Sequence, residues 1–323
     1  MNFMKFMNIL FVIDNLEFKY FEFNKLVTSF WLIEGFIKRG YKVDITTKDR
    51  LYLNGKTPLG LTFKTFLKDN NLIKERFYEK TNLNSYNVIF FRPDPPVDND
   101  YINATYVLDF LDKNTFVLNN PQGLRNANEK LFINNFPKIV PDNIATASPE
   151  LIKEFLHTKG EIIIKPLNYC FSKGVFYLNK KDKNIHTIID MATNSGTRMV
   201  MVQEFLPQIS EGDKRLVYIN GKIFEECVSK IHGEDDFKFN THADKFFKKG
   251  EISAEEKKIA EYIKPKMDKE GLYIAGLDVI DGKMIEINVT SPCFFIKEVN
   301  QIFGINFEDK ILDSLENLIK SKI

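Results

Sequence analysis

The sequence predicts an α/β protein, and three observations carry that prediction. In the first third, short apolar strand candidates alternate with helical patterns, the signature of a parallel sheet covered on both faces. Beyond about Asn120 the order changes, and many strands surround few helices. Near the carboxyl end, two strands joined at Asp281-Gly282 carry acids among apolar residues. At ~100–200 residues per domain, a chain of 323 residues makes two or three packed units.

The elements follow in order. Ile9–Ile13 is a buried first strand; its apolar run is too short for a secretory signal and ends at Asp14 without a small-residue cleavage site. From Thr28 to Arg39, Phe30, Trp31, Ile33, Phe36 and Ile37 recur near the helical period, and Gly40 stops the helix. Lys42–Thr46 and Asn87–Phe91 are strands, and Tyr101–Leu111 is a helix. Ligands of such a sheet bind at the carboxyl ends of its strands, where Asp14 and Arg92 stand. Next come a helix over Asn126–Phe136, a strand over Glu161–Lys165 with Val175–Leu178 as its pairing partner, and strands over Met199–Phe205, Arg215–Ile219 and Ile223–Val228. His232–Gly250 is polar, lacks a regular apolar pattern and reads as a long surface loop of the kind that forms lids. A helix over Ala254–Met267, strands over Leu272–Ile280 and Met284–Val289, and a helix over Phe307–Ile323 complete the chain.

Composition excludes several classes. Lys+Arg is 45 against Asp+Glu 44, so no basic excess points to nucleic acid. Three scattered cysteines without a CxxC, and four histidines without ligand spacing, exclude a disulfide framework and a structural zinc site. No apolar run reaches the ~18–20 residues of a membrane helix, and the expected compartment is a reducing cytoplasm.

The chemistry concentrates in a few segments. Glu286 and Asn288 are two apart on a strand and share a face. With an odd-length loop centred on Gly282, Asp278 falls opposite Glu286, and two carboxylates and an amide oxygen converge. That oxygen set suits Mg²⁺ completed by substrate phosphates. Lys165 ends an otherwise apolar strand, so a buried ammonium there needs an anionic partner; Lys130 and Arg215 are further cations near element ends. Gln203-Glu204-Phe205-Leu206 follows an apolar strand and offers polar groups for an adenine edge and a ribose.

Taken in order, Asn128-Glu129-Lys130, Ile163-Ile164-Lys165-Pro166, Gln203-Glu204-Phe205-Leu206, Gly212-Asp213-Lys214-Arg215, Gly276-Leu-Asp278 and Glu286-Ile-Asn288-Val-Thr-Ser-Pro292 resemble the ATP-grasp ligases. Within them the pattern is similar to the bacterial glutathione synthetase family, including Phe91-Arg-Pro-Asp-Pro-Pro96, Ala104-Thr-Tyr106 and the linker Asn120–Lys130. The resemblance implies an ATP-grasp fold with a Rossmann-like N-terminal domain. The expected units are residues 1–122, a central lid subdomain at 123–202, and a carboxyl-terminal subdomain with the metal site at 203–323. It implies ATP-dependent joining of a carboxylate to an amine through an acyl phosphate, converting γ-glutamylcysteine, glycine and ATP to glutathione, ADP and phosphate. A ligase for another acyl donor and amine, and a nucleotide-binding protein without turnover, are the alternatives.

The resemblance assigns roles by position. Arg215, Lys238 and Asn240 would serve catalysis. ATP would be held by Lys130, Lys165, Lys173, the hinge Gln203, Glu204, Phe205 and Leu206, and Asp213 at the ribose. Asp14, Ser29, Arg92, Asp94, Tyr106, Ser291 and Pro292 would hold substrate. Asp278, Glu286 and Asn288 would hold Mg²⁺, with Mn²⁺ as an alternative ion. Small-molecule carboxylate and amine substrates and a homo-oligomer are implied, with neither nucleic acid nor membrane as a partner.

The sequence departs from the family pattern in three places. The glycine-rich loop after Lys165-Pro166-Leu167 becomes Asn168-Tyr-Cys-Phe-Ser-Lys-Gly174, which supplies Lys173 in place of backbone N–H groups. The second glycine loop becomes Lys238-Phe-Asn240-Thr-His-Ala-Asp-Lys245. The Lys-Asp-Ser/Thr-Ser/Thr of the first helix becomes Leu26-Val27-Thr28-Ser29, without its acid, and Pro93 stands where a lysine is usual.

Overall fold

The structure is a computed structural model that describes residues 7–170, 172–231 and 246–323. The first unit contains β1 (Asn8–Ile13), α1 (Asn15–Lys19), α2 (Thr28–Lys38), β2 (Lys42–Thr47), β3 (Leu51–Asn54), β4 (Thr57–Lys68), β5 (Asn71–Lys74), β6 (Glu79–Asn82), β7 (Val88–Phe91), α3 (Asn99–Leu108), β8 (Phe116–Leu118) and α4 (Pro121–Asn126). Strands β2, β1, β7 and β8 pair in parallel, as the strand and helix alternation predicts. Apolar side chains leave β1 on both faces, with Leu10 and Val12 in one core and Ile9, Phe11 and Ile13 in the other. Strand β4 joins β2 antiparallel and carries β3, β5 and β6, an extension within residues 51–82 that the sequence reading left unassigned.

The second unit has β9 (Asn143–Thr146), α5 (Pro149–Lys159), β10 (Glu161–Pro166), β11 (Phe176–Asn179), α6 (Ile185–Thr193) and β12 (Val200–Glu204). Its antiparallel sheet has the order β11-β10-β12-β9, and Ile162 pairs with Leu178 as expected of this hairpin. Ile162 and Ile164 enter a core shared with Ile152, Leu156 and Ile189, separate from the two cores of the rest of the molecule. Strand β12 runs across the boundary expected between residues 202 and 203.

The third unit contains β13 (Asp213–Ile219), β14 (Lys222–Ile223), β15 (Cys227–Lys230), β16 (Phe247–Gly250), α7 (Ala254–Glu270), β17 (Ile274–Ile280), β18 (Lys283–Asn288), α8 (Ile296–Phe303) and α9 (Phe307–Lys322). Its sheet has the antiparallel order β16-β15-β13-β17-β18. The strand expected over Ile223–Val228 is two pieces, β14 and β15. The segment His232–Lys245 of the expected loop lies outside the described residues, and Phe247–Gly250 pairs with β15 as a strand. No helix of the described residues is long and apolar enough to cross a membrane.

The helix expected over Asn126–Phe136 is replaced by a turn and a single 3-10 turn at Phe132–Asn135. Asn128 Oδ1 accepts from the backbone N–H groups of Lys130 and Leu131, both at 3.1 Å, which competes with helix formation. The carbonyls of Glu129 and Ile139 instead accept from Ile287 N at 3.0 Å and Met284 N at 2.6 Å. The segment thereby covers the outer edge of β18, and long-range pairing overrides local periodicity.

Asn119 stitches the first unit to the third. Its buried amide donates to the carbonyls of Ile274 at 2.7 Å and Val289 at 2.8 Å, and accepts from the N–H groups of Tyr273 at 2.8 Å and Ile274 at 2.9 Å. Beside it Gly123 lies so close that a Cβ would stand 2.0 Å from the carbonyl oxygen of Glu270. Asn119→Ala is expected to destabilise the protein by about 3 kcal/mol, because it strands several buried backbone groups at once. Urea unfolding measures that loss; a change within experimental error would show the amide to be dispensable.

Candidate active site

A cavity of about 450 Å³ opens where the three units meet, within the size range of small-molecule sites. Four antiparallel strands build its floor. Arg215 on β13 lies opposite Asp278 on β17, Asp213 on β13 lies opposite Lys230 on β15, and Glu286 on β18 lies opposite Asp278. The expected Asp278–Glu286 register is present, but its parity has a different origin. Asp281 and Gly282 form an even two-residue turn with φ of 46° and 74°, as hairpins favour. A bulge before Glu286 supplies the odd residue. It also brings Ile285 to the cavity wall, where strict alternation had placed it on the opposite face.

Asp278 is the hub. It accepts from Arg215 Nε at 2.8 Å and Nη2 at 3.0 Å, from Lys230 Nζ at 3.0 Å and from Asn288 Nδ2 at 3.3 Å. Burial alone would raise its pKa, but Arg215 and Lys230 outweigh burial and hold the carboxyl well below the usual carboxylate range. Arg215 is locked further by Nη1 donating to the Cys293 carbonyl at 2.9 Å. Gly276 makes room for it, since a Cβ there would lie 3.0 Å from Arg215 Nη1 and 3.2 Å from Pro292 Cβ. Lys230 also pairs with Asp213. The sequence reading missed Lys230, although it ends a largely apolar strand just as Lys165 does; the strand had been placed too early.

The second unit forms the roof. On β10, Ile163 and Lys165 face the cavity while Ile162 and Ile164 face the core. The Lys165 ammonium makes no hydrogen bond or ion pair among the described residues, and burial lowers its pKa. Lys130 reaches Glu129 at 2.6 Å, the Tyr169 carbonyl at 2.9 Å and Glu286 at 3.5 Å. Glu286 and Glu129 together outweigh the cost of burial and keep Lys130 charged. Burial first, then Glu286, pushes the Glu129 carboxyl upward. These bonds tie the glycine-poor loop to the linker, with Asn128 Nδ2 on the Leu167 carbonyl at 3.1 Å. Lys173, Gln203, Glu204, Phe205 and Leu206 line the same cavity. Gln203 donates to the Ile285 carbonyl at 3.3 Å, and Phe205 packs edge-on against Tyr177 at 4.8 Å.

On the side of the first unit, Ser29, Arg92, Asp94, Ser291 and Pro292 line the cavity, joined by Glu17, which the sequence reading did not single out. Two expected substrate residues stand elsewhere. Asp14 does not line the cavity; its carboxylate caps α1 by accepting from Leu16 N at 2.8 Å. Tyr106 lies half exposed on α3 against the Arg125 guanidinium, 4.6 Å away, also outside the lining. Lys238 and Asn240 lie outside the described residues.

Solved structures share this architecture. D-cycloserine synthetase DcsG superposes with a TM-score of 0.67 at 12% identity, spanning 97% of this chain and 99% of its own. D-alanyl-alanine synthetase A from Vibrio cholerae gives 0.59 at 14% identity, spanning 98% and 99%. Their likeness is one of fold, and the ATP-grasp ligase PsnB, solved with Mg and ADP, shares it at a TM-score of 0.58 and 15% identity, spanning 98% of this chain and 99% of its own. The chain is an ATP-grasp ligase, an enzyme class that forms amide bonds. Residues 7–125 match the N-terminal domain, and residues 129–304 the ATP-grasp domain, of prokaryotic glutathione synthetase. Glutathione synthetase of Vibrio parahaemolyticus is 33% identical over 288 residues, 88% of this chain and 91% of that protein. That of Nitrosomonas europaea is 35% identical over 280 residues, 86% and 87% of the two chains. The chain belongs to the prokaryotic glutathione synthetase family.

An unpaired buried ammonium is costly until an anion arrives. Lys165→Met is therefore expected to stabilise the free protein by about 1 kcal/mol while weakening ATP roughly 10- to 100-fold, with AMP affected far less. Thermal unfolding and calorimetry with both nucleotides test this; equal losses for ATP and AMP would make Lys165 a structural residue.

Proposed function

We propose that this enzyme joins γ-glutamylcysteine to glycine, using ATP and releasing ADP and phosphate. The observation that supports it is the convergence in one cavity of the Asp278, Glu286 and Asn288 oxygens with the Lys130 and Lys165 ammonium groups. Family membership supports the choice of substrates.

The donor set fits a divalent cation that shares its coordination with phosphates. Among the described residues no group of three or more His, Cys, Asp or Glu is placed to hold a metal by itself. Glu286 and the Asn288 amide oxygen leave sites for phosphate oxygens, the arrangement Mg²⁺ favours, and Asp278, which accepts from Arg215, Lys230 and Asn288, would exchange one of those bonds for the ion. Asn288 turns its amide nitrogen toward Asp278, which leaves Oδ1 as the donor. Mn²⁺ is an alternative ion for the same oxygens. When bound, the metal would neutralise phosphate charge and polarise the transferred group.

The chain's own residues would supply the rest. Lys165 and Lys130 hold the phosphates from the roof and the linker, and Arg215 presents fixed positive charge beside them. Gln203 to Leu206 and Asp213 would hold the base and ribose. The donor carboxylate takes the γ-phosphoryl group, forming an acyl phosphate. The glycine amine then attacks its carbonyl carbon, loses a proton and displaces phosphate. Positioning and electrostatics suffice, with no covalent link to the enzyme. Shielding by the cavity walls would limit hydrolysis of the acyl phosphate.

ADP formation should require γ-glutamylcysteine and glycine together, and glutathione should appear in equal amount by mass spectrometry. Glu286→Gln and Asn288→Ala are each expected to lower Mg²⁺-dependent turnover by about 100-fold or more, as removal of a transition-state contact does. Turnover at the parental rate in either variant would reject the metal assignment. Turnover only with other donors and amines would reject the substrate pair.

A further inference from the structure

At the end of the cavity formed by the first unit, charges lie buried without pairing. Ser29 Oγ donates to Glu17 Oε1 at 3.5 Å, while Glu17 Oε2 is buried and has no hydrogen-bond partner. Arg92 is 3% exposed; its Nε donates to Ser29 Oγ at 3.3 Å and its Nη2 to the Pro292 carbonyl at 3.0 Å. Asp94 accepts from the Ser291 hydroxyl. Arg92 feels the field of both Glu17 and Asp94, yet among the described residues it forms no ion pair within 4.0 Å with either. Carboxylates and a guanidinium held on one wall without neutralising each other fit a ligand that carries both charges.

We propose that Glu17 recognises the ammonium of the acyl donor's α-amino-acid head, with Arg92 facing the carboxylate of that head. The proposal rests on the reading of the donor as a γ-glutamyl peptide. Reaction chemistry favours the donor over the acceptor as the owner of this ammonium. The attacking amine must lose its proton, and a carboxylate beside it would oppose that loss. The donor's amine takes no part in bond formation and stays protonated. Glu17 thus discriminates donors with the amine from donors without it.

Ionisation should leave a signature. Burial and then Asp94 push the Glu17 carboxyl up to about 8, with Arg92 opposing, and Asp14 and Ser29 are its other polar neighbours. Near neutral pH the free site is therefore largely protonated. KM for the amine-bearing donor should fall as pH rises toward about 8, because the carboxylate that accepts the ammonium becomes more populated.

The test compares γ-glutamylcysteine with its des-amino analogue glutarylcysteine at saturating ATP and glycine. The parent enzyme is expected to favour the amine-bearing donor by roughly 10- to 100-fold in kcat/KM, as a charge-assisted hydrogen bond allows. Glu17→Gln should bring that ratio close to one and flatten the pH dependence of KM, while Glu17→Asp keeps part of both. ATP affinity serves as the folding control. A parent enzyme indifferent to the amine, or a Glu17→Gln variant that keeps the ratio, overturns the proposal. If γ-glutamylcysteine supports no ADP formation but other carboxylates do, the glutathione reading fails. The same pairing of amino and des-amino donors then tests Glu17 independently.

Discussion

A carboxylate buried in the middle of a sheet survives only if cations and donors surround it, and Asp278 sets that demand at the centre of this molecule. Arg215 and Lys230 come from the next two strands on one side, and Asn288 from the strand on the other. Satisfying Asp278 dictates much of the local architecture. A glycine at 276 clears a path for Arg215, and a bulge in β18 turns Glu286 toward the same spot. The linker that carries Lys130 pairs its backbone with β18 and so brings a further cation within reach of Glu286. Without the buried acid, these cations would repel one another in a confined space.

The three units share the work unequally. The first and third merge into common cores on both sides of the sheet of the first unit, and Asn119 locks them through four hydrogen bonds. The second unit has a core of its own and meets the others chiefly across the cavity. The floor therefore carries the acids and Asn288, and a separately packed roof carries Lys165. The cavity is cationic toward the roof and acid-bearing toward the first unit, so a ligand with phosphate at one end and an ammonium at the other has a defined orientation.

Local patterns determined a good deal. Strands β1, β2 and β7 of the first unit, the β10–β11 hairpin, the long helices α2, α7 and α9 and the hairpin around Asp281-Gly282 follow from periodicity and turn chemistry that act over a few residues. Shared strand faces placed Glu286 with Asn288, and an apolar strand ending in Lys165 marked a buried ammonium, because both signals depend only on side-chain alternation. The family pattern in 276–292 is equally local, which is why it could be recognised from the chain alone.

Tertiary structure decided what depends on residues far apart in sequence. The parity of the 278–286 pairing came from a bulge that no local pattern announces. The segment 126–136 gave up its helical period because Asn128 capped its own backbone and the Glu129 carbonyl found a partner on β18. The side chain of Asp14 went to cap α1, and Tyr106 packed against Arg125 outside the cavity lining, although the pattern around each is preserved. Glu17 and Lys230 carry no motif; only packing buries one with a carboxylate oxygen unpartnered and brings the other to Asp213 and Asp278. Backbone periodicity records which face a residue occupies, whereas a site is a convergence of faces, and that is set by contacts between strands, helices and loops the sequence does not place side by side.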